Sequence, residues 1–543
     1  MPATYRTHLT VLQEVASLHP TATAFRVPQL EPTTQRILEW DAISFAQFHS
    51  DVEHFARYWG ALLQARGIAL RSVVGVWIGG MTYVDVLHIY AIVRAGYIPQ
   101  LFSLRLPSPD VIFELLAKSD GKALIYDISY EGLVSSSPVP THAAIDARAC
   151  AVSDIPLPPL QPLVDGSDTV MIFHTSGSTS GSPKLIPSTY AWWDHAITKG
   201  WQVMKPKKHR NNERQDVTVW MGSMCHIGQT FMFVGTIQHA SCTVQYTKQA
   251  FSSEELLDMI DRCGLTRINQ FPTFLAIHLR ESRYNPKLLE KLQQLDEIFI
   301  SGLMLTPEDE QWVHNNGIRI TNCYGSTEGT AMMLSDDDDR IGDIRPLRPI
   351  PGTQYRFVPV TSSEDEDEYR NPHMQLRELV VLSSSPDCPH PSLRRKDDGH
   401  YHTGDLFLEL APGKFVFRGR DDDWIKTENS LRCDTKAIED NVRTTCADLV
   451  DDCIVVGNSR PSPALFVEPK GTISPETLKK EIIRRTRHFH SRRYMHERIV
   501  SPDFIVVVPP RTLPRTSTKG NIRRRAVEES FRTQLDQIYG VQH

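Results

Sequence analysis

The sequence predicts an α/β protein with a large N-terminal lobe and a small α+β C-terminal domain. From Met1 to about Pro159, helical patterns alternate with short apolar strands, which is typical of mainly parallel sheets covered by helices on both faces. A chain of 543 residues is also too long for one simple core. The three adjacent carboxylates of Asp421–Asp423 cannot share a core and indicate an exposed joint. We therefore expect two domains, 1–420 and 421–543.

Individual elements follow from hydrophobic spacing. Apolar residues recur at helix spacing from Phe45 to Gln64, and short apolar runs predict buried strands. The segment from Arg340 through Leu382 predicts a β-rich subdomain of the large lobe. The remaining predictions are helices at Tyr83–Ala95, Thr435–Cys446 and Pro475–Arg487, and strands at Val73–Trp77, Ala123–Tyr126, Glu297–Ile300, Phe407–Leu410, Lys414–Arg418, Cys453–Val456 and Ala464–Val467.

Composition excludes several classes of function. The net charge of −6 argues against a general nucleic-acid binder. Met1–Leu18 lacks the charged-then-apolar order of a signal peptide. The most apolar stretch, Val73–Ile98, is interrupted by charged and polar side chains, which argues against a membrane span. Nine scattered cysteines without a C-x-x-C pair indicate reduced thiols, so we expect a cytoplasmic protein without membrane or nucleic-acid partners.

A Ser/Thr/Gly-rich loop follows the predicted strand Val170–Phe173. The ten residues Thr175–Lys184 contain four Ser, two Thr and two Gly, and no side chain that could fill a core. Gly177 and Gly181 allow the backbone N–H groups to converge, while hydroxyls and Lys184 add donors and positive charge, which suits a polyphosphate. The spacing G-x-x-x-G-x-x-K differs from a Walker A loop. A flexible linker is the alternative, but a strand before the loop and a helix predicted near Thr189 favour a binding loop.

Two further segments carry residues that could contact a ligand with an aromatic ring and a bound metal ion. In the run from Asn322 to Gly329, Tyr324 offers a flat face, Asn322 an amide for a base edge, and Glu328 a hard oxygen for magnesium. A strand ending in a glycine-bounded turn with a solvated Glu328 is the alternative. Gly302, after the strand Glu297–Ile300, would let a ligand ring approach the backbone.

A third segment, Tyr401-His-Thr-Gly-Asp405, places a carboxylate where it can accept two hydroxyl hydrogen bonds. Gly404 keeps that approach clear, although an aspartate in a turn is usually only a cap. The fourth segment, Gly419 to Lys426, carries Arg420 beside the acidic joint. A lysine, Lys519, stands in a small, polar loop near the end of the sequence.

Taken in order, these segments resemble the motifs of the acyl-adenylate-forming (AMP-binding) superfamily. The resemblance extends from about Phe45 to Arg523. The order Lys519-Gly520, rather than Gly-Lys, is most similar to adenylation domains of fungal nonribosomal-peptide-synthetase-like enzymes, in which a carrier and a reductase or thioesterase follow. Two departures stand out: Leu303 replaces a frequent glycine, and Glu428–Leu431 lacks a glycine of most relatives.

The resemblance implies an enzyme that uses ATP and Mg²⁺ to convert a small carboxylic acid into an acyl-adenylate. Glu328 would be the metal ligand, and Lys519 the catalytic lysine on a small domain that moves about Asp422. His226, beside the acid pocket, and Thr327 would be further catalytic residues, although a single histidine is as often structural. The nucleotide-binding residues would be Thr175, Ser176, Gly177, Ser178, Thr179, Gly181, Lys184, Gly302, Asn322, Tyr324, Gly325, Ser326, Asp405, Phe417 and Arg420.

The acid and the acceptor are less sharply defined. Amino-acid-activating relatives carry an aspartate near the His226 segment, and Met224–Ile227 has none, so we expect an acid without an α-amine, aryl or aliphatic. The sequence contains no Ser-centred carrier segment after Lys519. The expected acceptor is therefore a phosphopantetheine thiol of a carrier domain or separate carrier protein, or coenzyme A. A free-standing acyl-CoA ligase and a catalytically silent adenylate-binding module are the alternatives.

Overall fold

The computed structural model describes most of the chain, and contacts divide it into two compact units. The first comprises Met1–Leu104, Phe113–His174 and Leu185–Arg418, and the second Arg105–Ile112, Thr175–Lys184 and Gly419–His543. The described residues are 4–152, 154–160, 164–175, 183–207, 214–302, 304–336, 339–342, 344–359, 376–420, 425–429, 431–515, 522 and 524–540.

The strands within these ranges are β1 Thr23–Leu30, β2 Ile37–Ser44, β3 Val73–Ile78, β4 Ile98–Ser103, β5 Ala123–Tyr126, β6 Thr141–Ala143, β7 Thr169–Thr175, β8 Lys184–Thr189, β9 Val217–Val219, β10 Cys242–Val244, β11 Arg267–Gln270, β12 Glu297–Ser301, β13 Ile320–Ser326, β14 Thr330–Ser335, β15 Leu347–Pro349, β16 Tyr355–Pro359, β17 Leu376–Val381, β18 Tyr401–Ala411, β19 Lys414–Arg420, β20 Ile425–Lys426, β21 Arg432–Cys433, β22 Val450–Val456, β23 Ala464–Pro469 and β24 Ile505–Val507.

The α-helices are α1 His8–Leu18, α2 Phe45–Ala65, α3 Tyr83–Arg94, α4 Pro109–Lys118, α5 Tyr190–Val203, α6 Ile227–Ile237, α7 Ser253–Cys263, α8 Pro272–Ser282, α9 Pro286–Gln294, α10 Pro307–Asn315, α11 Thr435–Thr445, α12 Pro475–Ser491, α13 Arg524–Ser530 and α14 Arg532–Ile538. Among the described residues, none of these helices combines the length and the apolar character that crossing a membrane requires.

A six-stranded sheet has the order β6-β5-β3-β4-β7-β8. Strands β3, β4, β5 and β6 pair in parallel, and β4 also pairs in parallel with β7. Such pairing requires long connections, and α3 provides the one between β3 and β4. The apolar face of α2 is buried as its spacing predicts, with Phe45, Phe55 and Trp59 fully inaccessible to solvent.

A second sheet of 13 strands has the order β16-β17-β18-β19-β15-β14-β13-β12-β11-β9-β10-β1-β2. Its central strands, from β13 through β10 to β1, pair in parallel. Beyond β13 the pairing is antiparallel. The predicted β-rich subdomain is therefore the antiparallel end of this same sheet. The predicted α/β class, with mainly parallel pairing at the centre of the large lobe, is confirmed.

The second unit contains the small α+β arrangement predicted for the C-terminal residues. Strands β22, β23 and β24 form one sheet, and β20 and β21 form a two-stranded ribbon. Helices α11 and α12 contribute Ile438, Val442, Leu478 and Ile482 to a core with the strand residue Val455. The helices begin with side-chain caps, from Asp434 to α11 and from Ser474 to α12, as is usual at helix N-termini.

Three local features differ from the sequence predictions or were missed by them. The apolar run at Trp220 predicts a short strand that begins there, whereas strand β9 ends at Val219 and the following segment leads into α6. The hairpin of β1 and β2 was not predicted, because Pro28 and largely exposed positions obscure its alternation. Helix α1 was missed as well; its capping box between Thr7 and Thr10 is visible only in the structure.

Candidate active site

Tyr324 lies near the end of β13, at the point where parallel pairing gives way to antiparallel pairing. Its neighbours are β12, in parallel, and β14, in antiparallel register with a shift between Tyr324 and Gly325. Gly325 is required there, because a Cβ atom would stand 2.3 Å from the Thr330 carbonyl oxygen. Tyr324 itself is buried, with 6% of its surface exposed.

The Asp405 carboxylate lies directly against Tyr324, although the two residues are 81 positions apart in the sequence. The Tyr324 hydroxyl donates to Asp405 Oδ2 at 2.5 Å, and Asp405 is fully buried. The local backbone is held by Thr403, whose Oγ1 accepts from the Asp405 N–H at 3.0 Å and donates to the Leu379 carbonyl at 2.7 Å. Gly404 adopts φ +68°, a conformation that favours glycine.

Aromatic rings surround this pair. Phe407 meets the Tyr324 ring edge-on at a centroid distance of 4.9 Å, and Phe417 lies at 5.8 Å with an interplanar angle of 31°. These phenylalanines come from β18 and β19, the strands of the predicted hairpin. The hairpin therefore brings Phe417 and Asp405 to one tyrosine, as expected of residues that contact one ligand.

The turn between β13 and β14 carries Thr327 and Glu328, both partly exposed. It is closed by a hydrogen bond from the Gly329 N–H to Ser326 Oγ at 3.1 Å. A carboxylate and a hydroxyl are hard oxygen donors, and partial exposure leaves room for water and phosphate oxygens. Mg²⁺ usually binds through one or two carboxylates together with substrate phosphates, so this turn fits that ion.

Asn322 and Gly302 lie on the adjacent parallel strands. Asn322 is buried, its N–H donates to Ser335 Oγ at 2.8 Å, and it pairs with Ile300 of β12. Gly302 follows β12 directly with φ +95°. Because Ser301 pairs with Cys323, Gly302 comes one step further along the same edge of the sheet as Tyr324.

The predicted phosphate loop connects β7 to β8. Thr175 ends β7 and Lys184 begins β8 with its side chain exposed, whereas Ser176, Gly177, Ser178, Thr179 and Gly181 lie outside the described residues.

Sequence reasoning missed His174, which precedes this loop. Its Nδ1 lies 2.9 Å from the Leu101 carbonyl, its Nε2 lies 3.1 Å from Gln100 Nε2, and its ring stacks on Phe102 at 4.6 Å. Burial lowers the pKa of His174 to about 4, so the ring is neutral at pH 7. It anchors the end of β7 to β4. The only sequence signal is a polar residue at the end of an apolar strand.

His226 is the exposed N-cap of α6. Its Nδ1 accepts from the Gly228 N–H at 3.2 Å.

Arg420 is the last residue of β19, where its side chain is not described, and Asp422 and Lys519 lie outside the described residues. The structure therefore unites Tyr324, Asp405 and Phe417 within the first unit. It does not test the predicted roles of Lys184, Arg420 or Lys519.

Comparisons with known proteins agree with this arrangement. The model of the AMP-binding enzyme family matches residues 12–373, and that of the AMP-binding enzyme C-terminal domain matches residues 422–543. The chain belongs to this family. It is an adenylate-forming ligase that binds ATP or AMP and activates an acid, which confirms the resemblance described above.

Two relatives and one solved structure illustrate the similarity. The chain is 37% identical to the AMP-binding domain-containing enzyme iboA of Amanita muscaria over 94% of its own length and 98% of that protein. It is 24% identical to the adenylate-forming reductase stbB of Stachybotrys bisbyi, over 84% of the chain but 41% of that protein. The fold resembles o-succinylbenzoate CoA synthetase from Bacillus subtilis with a TM-score of 0.71, at 16% identity, covering 97% of this chain and 99% of that one.

Proposed function

We propose that the chain activates a small aryl or aliphatic carboxylic acid without an α-amine and transfers its acyl group to the phosphopantetheine thiol of a carrier protein or carrier domain. The observation that carries this proposal is the adjacency of Tyr324 and Asp405. These two side chains stand in separate sequence motifs but lie in contact. Such a contact is required if Tyr324 binds the adenine and Asp405 the ribose of one nucleoside.

The described side chains of the proposed nucleoside site belong to the first unit. Adenine lies against the ring of Tyr324, with Gly302 and Gly325 allowing close approach and Asn322 facing the base edge. Asp405 and Arg420 hold the ribose hydroxyls, because a carboxylate forms strong, charge-assisted hydrogen bonds with them. Phe417, 5.8 Å from Tyr324, completes the aromatic surface.

The phosphates are held by the loop Thr175–Lys184, and the metal ion by Glu328 with Thr327 and Ser326 beside it. Bound Mg²⁺ supplies positive charge to the phosphate oxygens. A carboxylate oxygen of the acid attacks the α-phosphorus, the bond to pyrophosphate breaks, and an acyl-adenylate forms. Lys519 stabilises the negative charge that builds on these oxygens, so catalysis consists of positioning and charge stabilisation.

The proposal of an acid without an α-amine rests on the segment that leads into α6. Met224, Cys225 and Ile227 are buried and apolar or weakly polar, and no carboxylate lies among them to pair with an ammonium group. His226 is the polar side chain of this segment, and we assign it to the acid.

In the second half-reaction a thiol attacks the acyl carbon and AMP leaves. Rotation of 421–543 about Asp422 withdraws Lys519 and admits the thiol, which accounts for a catalytic lysine outside the large lobe. The resemblance to fungal synthetase-like enzymes favours a carrier thiol. Coenzyme A, as in a free-standing acyl-CoA ligase, is the second candidate, supported by the fold of the CoA synthetase.

Acid-dependent ATP–pyrophosphate exchange tests the first half-reaction. We expect exchange with some aryl or aliphatic acids of a panel and none with their α-amino analogues. Lys519→Ala should abolish exchange while leaving thioester formation from a supplied adenylate comparatively intact, and Arg525→Ala, at an exposed residue of α13, is the matched control. If no acid of the panel supports exchange, the chain is a catalytically silent module. Near wild-type exchange by Lys519→Ala would exclude a catalytic role for Lys519.

A further inference from the structure

Lys199 is a buried cation of α5 that the roles above leave unexplained. Only 1% of its surface is exposed, and its Nζ lies 2.9 Å from Asp387 Oδ2. Its partners come from distant parts of the first unit, since Asp387 is 188 residues away in the sequence. A lysine is rarely buried completely unless its charge is paired, so this position is specified by its contacts.

The Asp387 carboxylate is held on every side. Ser385 Oγ donates to Oδ1 at 2.5 Å, and the Tyr355 hydroxyl donates to Oδ2. Trp192 Nε1, also on α5, donates to the Asp387 main-chain oxygen at 3.2 Å. Burial raises the pKa of Asp387, but the charge of Lys199 and these hydrogen bonds outweigh that effect and leave the pKa below its usual value. Burial lowers the pKa of Lys199, and the charge and hydrogen bond of Asp387 oppose that shift. The Asp387 carboxylate is therefore ionised at neutral pH and fixed in place.

The second partner of Lys199 is the turn that carries Glu328. Lys199 Nζ donates to the Gly329 carbonyl at 2.7 Å, and Thr330 Oγ1 donates to the same oxygen at 2.6 Å. Gly329 directly follows Glu328, so this oxygen lies at the base of the metal-binding turn.

The turn is strained at Thr330, which adopts φ +58° and is 3% exposed. The left-handed conformation is unfavourable for a β-branched residue and persists only where surrounding contacts impose it. The two hydrogen bonds to the Gly329 carbonyl are such contacts. Residues in strained conformations cluster at functional sites, and this one lies two positions from Glu328.

We propose that Lys199, fixed by Asp387, is a positioning residue for the turn Ser326–Thr330 and thereby for the divalent cation. By holding the Gly329 carbonyl, it keeps Thr330 in its strained conformation and Glu328 in the orientation that meets a metal–nucleotide complex. This inference rests on the proposed metal-binding role of Glu328.

Lys199→Met tests the inference, because it keeps the aliphatic stem and removes the ammonium group. In the ligand-free protein we expect amide hydrogen exchange in residues 326–330 to rise about 10-fold relative to other buried turns of the same unit. Metal half-saturation, the Mn²⁺ concentration that half-saturates the protein in the presence of a non-hydrolysable ATP analogue, is measured by calorimetry. It should rise about 10-fold, as for other residues that orient metal ligands.

Arg267→Met is the matched control. Arg267, the first residue of β11, is also 1% exposed and pairs with Asp216 at 3.1 Å. Its partners are Asp216 before β9, Glu297 at the start of β12 and the Met204 carbonyl after α5, and none of them belongs to the turn Ser326–Thr330. We expect this variant to lose stability without a change in metal half-saturation or in exchange at the turn. If Lys199→Met and Arg267→Met behave alike in both measurements, the positioning role is wrong.

Two more variants keep the test decisive. Asp387→Asn preserves side-chain size and should shift both measurements in the same direction, which carries the test if Lys199→Met does not fold. Thr330→Ser keeps the hydroxyl that donates to the Gly329 carbonyl and removes the branching methyl group that makes the left-handed conformation unfavourable. In the Lys199→Met background it should therefore move metal half-saturation back towards the wild-type value. An unchanged value would contradict the role of strain. If Glu328 does not bind the metal ion, Glu328→Gln should leave metal half-saturation unchanged. This result distinguishes failure of the proposed function from failure of the positioning role of Lys199.

Discussion

The hydroxyl of Tyr324 donates a hydrogen bond to Asp405, and these are the two residues that we propose for adenine and for ribose. This hydrogen bond crosses from β13 to β18, and both side chains are buried. Removing the donor of a buried carboxylate is costly, because the carboxylate gave up its hydrogen bonds to water on folding. In the proposed site, the tyrosine would therefore have two functions: its ring would contact adenine, and its hydroxyl would orient the carboxylate that binds the ribose.

Tyr324→Phe should separate these functions. We expect the free energy of unfolding to fall by about 1–3 kcal/mol, the usual cost of leaving a buried acceptor unsatisfied. The KM for ATP should rise several-fold, because Asp405 loses its orientation while the ring is retained.

Tyr97→Phe is the control for this substitution. The Tyr97 hydroxyl is also buried and donates to the Ile68 carbonyl at 3.2 Å. This variant should lose stability with no change in the KM for ATP. Equal KM values for Tyr324→Phe and the wild type would show that the Tyr324–Asp405 hydrogen bond does not contribute to nucleotide binding.

Candidate site residues could be named from the sequence where their chemistry is local, but not where it depends on distant partners. Tyr324 and Asp405 stand in short motifs with distinctive chemistry. Lys199 and His174 have no such signal. A lysine in an amphipathic helix normally faces solvent, and a single histidine near the end of a strand indicates no particular role. Their importance comes from Asp387, Gly329 and other groups more than 70 residues away, which only the folded chain brings together.

Among the elements, those with strong periodicity were predicted well. Helix α2 and strand β3 agree with their predicted bounds to within a residue or two, because a continuous apolar pattern determines each. The joining of the parallel and antiparallel strands into one sheet of 13 was not predictable, because that pairing depends on register between distant segments.

Helix α6 shows how an element can explain a residue that the sequence leaves open. His226 caps this helix, and asparagine is an equally good cap. His226→Asn should therefore change the free energy of unfolding by less than about 0.5 kcal/mol, whereas His226→Ala should cost about 1 kcal/mol.

The same pair of variants tests the role in acid binding. If His226 contacts the acid, both variants should raise the KM for the acid in pyrophosphate exchange and leave the KM for ATP unchanged. An unchanged KM for the acid in His226→Asn would show that the histidine serves only as a cap.

At the scale of the whole molecule, buried neutral histidines should make the protein sensitive to acid. Burial lowers the pKa of His8 to about 3, and those of His88, His174 and His278 to about 4. The unfolded chain binds protons at these histidines near pH 6.5, and the folded chain does not. Stability should therefore decline as the pH falls from 6.5 towards 4, and level off below the folded-state pKa values.

His8→Phe tests this linkage, because phenylalanine can pack edge-on to Tyr90 as His8 does at 4.5 Å. Urea unfolding at pH 7 and pH 5 should show that this variant loses about 2 kcal/mol less stability on acidification than the wild type. His19→Phe, at an exposed position, should lose as much as the wild type. If the free energies of unfolding of His8→Phe and the wild type fall equally between pH 7 and pH 5, burial of neutral His8 does not contribute to acid sensitivity.

Attack of the substrate carboxylate on the α-phosphorus of ATP is the chemical step that defines the proposed function, and isotope transfer follows this step. An accepted acid labelled with ¹⁸O in its carboxylate is turned over with ATP, Mg²⁺ and a phosphopantetheine thiol, and the nucleotide product is analysed by mass spectrometry. We predict AMP that carries one ¹⁸O atom from the acid, together with unlabelled pyrophosphate. Release of ADP with ¹⁸O in inorganic phosphate would contradict attack on the α-phosphorus, because it would mean that the acid attacks the γ-phosphorus.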